Sequence, residues 1–75
     1  MSKIATIRTA VKKVHPAASL DRFDSEGPKG GTRKGMYAVM EDYEESDAVL
    51  GAGWTQQDAW EDALHRMNAG LGYVQ

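Results

Sequence analysis

The sequence predicts an α+β fold, a two-layer sandwich in which a helix, a three-stranded antiparallel meander and a second helix follow one another (α-β-β-β-α). Three observations predict this order: helical spacing of apolar residues near each end of the chain, three short apolar segments between them, and tight connections that favour antiparallel neighbours. The 75 residues show no internal repeat or boundary and predict a single domain, 1–75. One thin core leaves little room for an enclosed active site.

The first helix is predicted over residues 4–14, where apolar residues recur at a helical period. The apolar positions are Ile4, Ile7, Ala10, Val11 and Val14, and the polar side carries Arg8, Thr9, Lys12 and Lys13. A strand is the alternative because Ile, Thr and Val are frequent here, but strict alternation would place Ile4 and Ile7 on opposite faces. Pro16 disfavours helical geometry at His15, so the helix should end there.

Three strands are predicted, at 18–24, 36–43 and 49–53. The middle strand is apolar on both faces. Either both faces are covered by other parts of the chain, or one of them is an exposed apolar patch. One face holds Tyr37, Val39 and Tyr43, and the other holds Met36, Ala38 and Met40. Residues 25–35 contain four glycines and a proline and predict a loop, and residues 44–47 predict a polar turn.

The second helix, over residues 56–69, is the most clearly marked element. Its apolar stripe is Trp60, Ala63, Leu64, Met67 and Leu71, and the opposite face carries Asp58, Glu61, Asp62, His65 and Arg66. Thr55 should cap its N-terminus, with Asp58 at the reciprocal position of a capping box, and Gly70 should close its C-terminus. Trp54 precedes the cap, and both tryptophans are expected in the core.

Composition excludes several classes of protein. There is no cysteine, which excludes disulfides and thiolate metal sites. The longest apolar run, 48–54, is far shorter than the roughly 20 residues that a membrane helix needs. The N-terminus lacks the continuous apolar core of a signal peptide, so a cytoplasmic location is expected.

The charge is unevenly distributed along the chain. Residues 1–34 carry eight Lys and Arg against three Asp and Glu, giving +5, and residues 35–75 carry one Arg against eight acids, giving −7. Such an uneven charge distribution is typical of a protein that attracts its partner electrostatically. Two halves of the chain that face each other in the fold and neutralise each other's charge would give the same pattern.

No catalytic, metal or cofactor site is predicted. His15 and His65 are the only histidines, and lone histidines are usually helix-end or surface residues. The acidic run over 41–47 lacks the spacing of a calcium-binding loop and is read as a solvated turn. The segment 27–34 lacks the spacing of a phosphate-binding loop, and the segment after it is predicted as a strand. The chain is therefore expected not to be an enzyme.

A few local sequences, together with the element order, resemble the double-stranded-RNA-binding domain. Gly27-Pro28 falls between the first two strands, Leu50-Gly51-Ala52-Gly53 leads into the last helix, and Ala59 and Ala63 occupy positions that pack this helix on the sheet. The resemblance spans most of the chain and implies the same α-β-β-β-α fold.

The same resemblance argues against that family's mode of RNA binding. Where the family has phosphate-binding lysines at the start of the last helix, this chain has Gln56, Gln57 and Trp60, interspersed with Asp58, Glu61 and Asp62. Acids at this position would repel a phosphate backbone. Lys29 and Gly30 also stand where the family has a histidine after its Gly-Pro.

Two binding hypotheses remain. The first is a non-enzymatic module that modulates a larger protein or nucleoprotein complex, since large aromatic and Met side chains exceed what so thin a core needs. Its candidate surfaces are an aromatic patch, Tyr37 and Tyr43, and an acidic face, Glu41, Asp42, Glu44, Glu45, Asp58, Glu61 and Asp62. In size and composition, though in no motif, the chain also resembles phage-encoded accessory proteins that block or redirect a host complex.

The second hypothesis is nucleic-acid binding through the basic N-terminal half and the 27–35 loop. The candidate residues are Arg8, Lys12, Lys13, Lys29, Arg33 and Lys34, which could also serve as a basic face for an acidic protein. A protein partner is favoured because the pI of about 5.5 is far from the basic footprint of a nucleic-acid-binding domain.

Overall fold

The computed structural model describes residues 3–22, 35–42, 44–46 and 48–74, and it has the predicted α-β-β-β-α order. The elements are α1 (Lys3–Val14), β1 (Ser19–Arg22), β2 (Tyr37–Met40), β3 (Val49–Gly53) and α2 (Gln56–Ala69). The strands form an antiparallel sheet in the order β1-β2-β3, and the main core joins both helices to one face of it. The two-layer α+β fold class is confirmed.

Strand β1 begins one residue later than the predicted 18–24, and β2 begins one residue later and ends earlier than the predicted 36–43. Ala18 precedes β1, and its N–H donates to the carbonyl of His15 at 2.9 Å in the turn that follows α1. A bulge between Val39 and Met40 interrupts the pairing with β3, and β2 ends at Met40. Residues 23–24 and 43 of the predicted strands, and residues 25–34 of the predicted loop, lie outside the described residues.

Helix α1 buries part of its predicted apolar stripe. Ile7 and Val11 are in the core, and Ile4 packs against it. The helix ends at Val14, two residues before Pro16, as predicted. Val14, the last apolar position of the predicted stripe, does not join Ile7 and Val11 in the core: it lies in the last turn of α1 and is 62% exposed.

Both faces of β2 are covered, which was one of the two alternatives. Val39 belongs to the main core under the helices. Ala38 belongs to a second, smaller core on the outer face, with Val49 and Val74. Val74 is held there because its N–H donates to the carbonyl of Val49 at 2.8 Å.

Helix α2 has the predicted ends. The Asp58 N–H donates to the Thr55 hydroxyl at 3.0 Å, and Gly70 adopts the left-handed conformation with φ +68°. The N–H groups of Gly70 and Leu71 then donate to the carbonyls of Met67 and Arg66, which is the Schellman pattern. Within the described residues, no helix combines the length and apolar composition that crossing a membrane requires.

Two large side chains assigned to the core are instead on the surface. Trp60 is buried as predicted, but Trp54 is 60% exposed and Leu71 is 56% exposed. Beyond the bulge, Gly51 and Gly53 face α2 and Ala52 packs against the outer core, so continued alternation places Trp54 on the outer side. Leu71 follows the left-handed turn at Gly70, which carries the chain away from the core.

Candidate functional site

A groove runs along the outer side of the helix layer between α1 and α2. Its cavity volume is about 650 Å³. The residues from α1 are Ala5, Thr6, Thr9, Ala10, Lys13 and Val14, and those from α2 are Leu64, Met67 and Asn68. We call this the helix groove. Its lining consists mainly of small and apolar side chains, and Lys13 is the one charged group that the described residues contribute to it.

A second depression of about 580 Å³ adjoins the helix groove where the two helices end. The two cavities share Val14, Met67 and Asn68. The second one, here the end pocket, continues over Leu50 to His15, Arg66 and Tyr73. Among the described residues, no Asp or Glu lines the groove or the pocket.

The other end of the helix pair is crossed by an ion pair. The Lys3 ammonium lies 3.1 Å from Glu61, which also accepts a hydrogen bond from the Gln57 amide at 3.3 Å. These hydrogen bonds, that from Lys3 first, lower the pKa of Glu61 below its usual value. Glu61 is therefore engaged within the chain and joins α1 to α2.

A cluster of polar side chains lies beside the end pocket. The Tyr73 hydroxyl donates to the Glu41 carboxylate, and His15 Nδ1 lies 3.8 Å from the same carboxylate. The hydrogen bond to Glu41 raises the pKa of the Tyr73 hydroxyl. Glu41 thus connects the end of β2 with the segments that follow α1 and α2.

The structure places the acidic candidates in two groups at opposite ends of β3, which spans about 13 Å. Glu41, Asp42, Glu44 and Glu45 lie near its start, where the Asp42 carboxylate accepts from the N–H groups of Glu44 and Glu45. Asp58, Glu61 and Asp62 lie on α2, where Asp62 accepts from the Ala52 N–H and from Arg66, each at 3.0 Å. Asp58, Glu44 and Glu45 are exposed. Asp47 lies outside the described residues.

Of the basic candidates, Arg8 and Lys12 are exposed one turn apart on α1. Neither lines the helix groove, because they lie on the side of α1 away from α2. Lys29, Arg33 and Lys34 lie outside the described residues. Of the basic candidates within the described residues, Lys13 alone lines the groove.

Of the two aromatic candidates, Tyr37 and Tyr43, the structure describes the first. Tyr37 is half-buried against the main core, with the Arg22 guanidinium 5.7 Å from its ring centre. Tyr43 lies outside the described residues. Trp54 is exposed and passes near Gly35, where a Cβ atom would lie 3.9 Å from the indole.

The sequence analysis named several groove residues, Lys13 as a basic candidate and Leu64 and Met67 in an apolar stripe, but it did not predict that they would line one groove. Thr6, Ala10 and Lys13 share one side of α1, and this spacing could have marked a second surface beside the apolar stripe. The position of Tyr73 beside the end of α1 has no local signal, since 58 residues separate it from His15. In the described part of the chain, no three His, Asp or Glu side chains are grouped closely enough to hold a metal ion.

Fold and surfaces define a small two-layer α+β domain with an apolar groove between its helices. Comparison of the chain with protein-family models, with curated proteins and with solved structures found no match in any of the three.

Proposed function

We propose that this chain is a non-enzymatic binding module that docks onto a larger protein or nucleoprotein assembly and modulates it. One observation carries the proposal: large apolar side chains are left exposed where the two helices end. Val14 is 62%, Leu71 56% and Tyr73 42% exposed, and Val14 and Tyr73 line the same pocket. Large apolar side chains that are exposed and line one pocket on a small domain support an interaction site.

A protein is the favoured partner because of the chemistry of this surface. The helix groove offers methyl, methylene and thioether groups, which gain free energy by burial against other apolar groups. A nucleic-acid backbone instead requires several cations that contact phosphates. A cytoplasmic location and a role of the phage-encoded accessory type belong to this same proposal.

Nucleic-acid binding is the second candidate, and the exposure of Arg8 and Lys12 one turn apart favours it. Together with Lys29, Arg33 and Lys34 they would form the basic surface. This candidate, and the resemblance to the double-stranded-RNA-binding domain, remain predictions.

Site-specific photo-crosslinking in cells of the source organism tests the proposal. A photoreactive residue replaces Val14 in one variant and Arg8 in a matched control, since both positions are exposed on α1 but only the first lines the groove. We expect protein adducts from position 14 and none from position 8. Absence of protein adducts at position 14 would contradict the proposal.

Titration with duplex RNA, duplex DNA and single strands at low salt tests the second candidate. Salt-sensitive binding that is lost in the Lys29→Ala, Arg33→Ala, Lys34→Ala triple variant would favour nucleic acid. No binding at low ionic strength would count against it.

A further inference from the structure

We propose that the helix groove and the end pocket bind an amphipathic helix of the partner, with Asp or Glu beside the helix's apolar stripe. This inference rests on the proposed function, because it names the kind of partner that the same surface takes. The structure supports it by shape, by lining chemistry and by charge.

The groove has the dimensions of a helix contact. From Ala5 to Val14, α1 advances about 14 Å, which corresponds to roughly two and a half turns of a bound helix. The Lys3–Glu61 ion pair crosses one end, and the other end opens into the end pocket. A partner helix can therefore lie along α1 and α2 and extend past Val14 towards Tyr73.

The lining suits close contact with a helix. Ala5, Thr6, Thr9 and Ala10 are small, so the partner's apolar side chains can enter between α1 and α2. The Thr9 hydroxyl donates to the carbonyl of Ala5 at 2.9 Å, so covering Thr9 leaves its donor satisfied. Leu64 and Met67 supply the larger apolar surface on the other side.

The charge of the lining selects an acidic partner. Among the described residues, its basic side chains are Lys13 in the groove and His15 and Arg66 in the end pocket. His15 and Arg66 already face Glu41 and Asp62, so Lys13 is the group best placed to meet a carboxylate of the partner. A second copy of the chain is disfavoured because a twofold contact through this surface would bring its cations together.

Selection from a peptide library tests the inference. The library displays amphipathic helices with Leu, Met, Phe or Trp at spacing i, i+3, i+4, i+7 and with Glu or Lys at random beside that stripe. The baits are the full chain, its Lys13→Glu variant and its Lys12→Glu variant. Lys12 is the matched control because it is exposed and adjacent, changes net charge equally, and does not line the groove.

We expect the native and Lys12→Glu baits to enrich Glu beside the apolar stripe, and the Lys13→Glu bait to lose this preference. The selected acidic peptide should bind Lys13→Glu at least about threefold more weakly than Lys12→Glu, as expected for one exposed charge pair. Its binding should shift amide resonances of Thr9, Ala10, Leu64 and Asn68.

Three outcomes would overturn the inference: no enriched helix, no difference between the two variants, or resonance shifts confined to other residues. Concentration-dependent dimerisation that Val14→Asp abolishes would assign the groove to a second copy instead. If any of these occurs while position 14 still crosslinks to protein, only this inference falls. If position 14 gives no protein adduct, the proposed function falls as well.

Discussion

An added Cβ atom at Gly51 of β3 would come closer to α2 than one at any other glycine of the described residues. A Cβ atom at this position would lie 2.2 Å from the Ala63 nitrogen and 2.8 Å from the Ala59 carbonyl oxygen. Both neighbours are backbone atoms of a helix, so neither can yield without displacing α2. Ala59 and Ala63 are themselves completely buried, which shows that small side chains on the helix complete this contact.

Gly51→Ala should therefore lower the free energy of unfolding by about 3 kcal/mol or more, at the upper end of overpacking effects. Urea denaturation measures the change. Gly70→Ala is the control: its φ of +68° is unfavourable for alanine, but a Cβ there meets nothing within 4 Å, so this variant carries backbone strain without steric overlap. The Gly70→Ala control should lower the free energy of unfolding by about 1–2 kcal/mol. Equal losses in the two variants would mean that α2 does not lie so close to β3.

Tyr73 makes a pH-dependent contact with Glu41. Because this hydrogen bond raises the pKa of Tyr73 above its ordinary 10.0, its contribution to stability is present below pH 10.0 and is lost as the pH rises through the folded-state pKa. In an alkaline titration followed by tyrosinate absorbance, one tyrosine should ionise late. Tyr73→Phe should remove that late phase, and Glu41→Gln should shift it to lower pH. A late phase that survives in Tyr73→Phe would contradict the assignment.

At the scale of elements, Asp62 joins α2 to the exposed edge of the sheet. Strand β3 is an edge strand, and the Asp62 carboxylate accepts from its Ala52 N–H while also accepting from Arg66. An edge N–H that is occupied in this way is not free to pair with another strand. Asp62, which the sequence analysis placed in an acidic partner-binding face, thus makes hydrogen bonds within the chain.

Asp62→Ala should lower the free energy of unfolding by about 1 kcal/mol, since it removes hydrogen bonds to a partly exposed carboxylate. Asp62→Asn retains a side-chain oxygen acceptor and should lose less. Thermal unfolding and amide exchange at Ala52 measure the effect, and exchange at Ala52 should be faster in the alanine variant. Unchanged exchange there would show that Asp62 does not hold the edge strand.

The ends of α2 could be predicted from sequence because capping is local. Thr55 contacts Asp58 and Gly70 contacts Met67, so the relevant residues lie within four positions of each other. The extents of β1 and β2 could not be predicted in the same way, because strand length depends on pairing. The bulge that ends the regular pairing of β2 arises from its register with β3, which no residue of β2 encodes alone.

At the scale of the molecule, exposure was the property that sequence predicted least well. Val14 and Leu71 fit their helical stripes, but both are exposed, because burial depends on how each helix lies against the rest of the fold and not on spacing alone. The helix groove has the same origin: it forms because α1 and α2 run side by side, joining residues 5–14 with residues 64–68. Periodicity gives each helix a buried face, but it does not give the position of one helix relative to the other.

The small core and the helix groove lie on different sides of the molecule. Stability and binding can therefore be tested separately. Val74 closes the small core on the outer face of the sheet, where it is 5% exposed, whereas Lys13 is exposed on the helix layer. Val74→Ala removes two buried methyl groups and should lower the free energy of unfolding by about 2 kcal/mol. At a temperature where the variant remains folded, its affinity for the acidic helical peptide should match that of the native chain.

Lys13→Glu should show the reverse behaviour, with a urea midpoint close to that of Lys12→Glu and weaker peptide binding. Urea denaturation and peptide titration of the same preparations measure both quantities. A loss of peptide affinity in Val74→Ala would indicate that the two sides are coupled through the sheet. Because the small core contains Val49 and the end pocket reaches the adjacent Leu50, that coupling would have a defined route through β3. Independent behaviour of the two variants would instead mean that the groove keeps its shape as long as the main core joins α1 and α2.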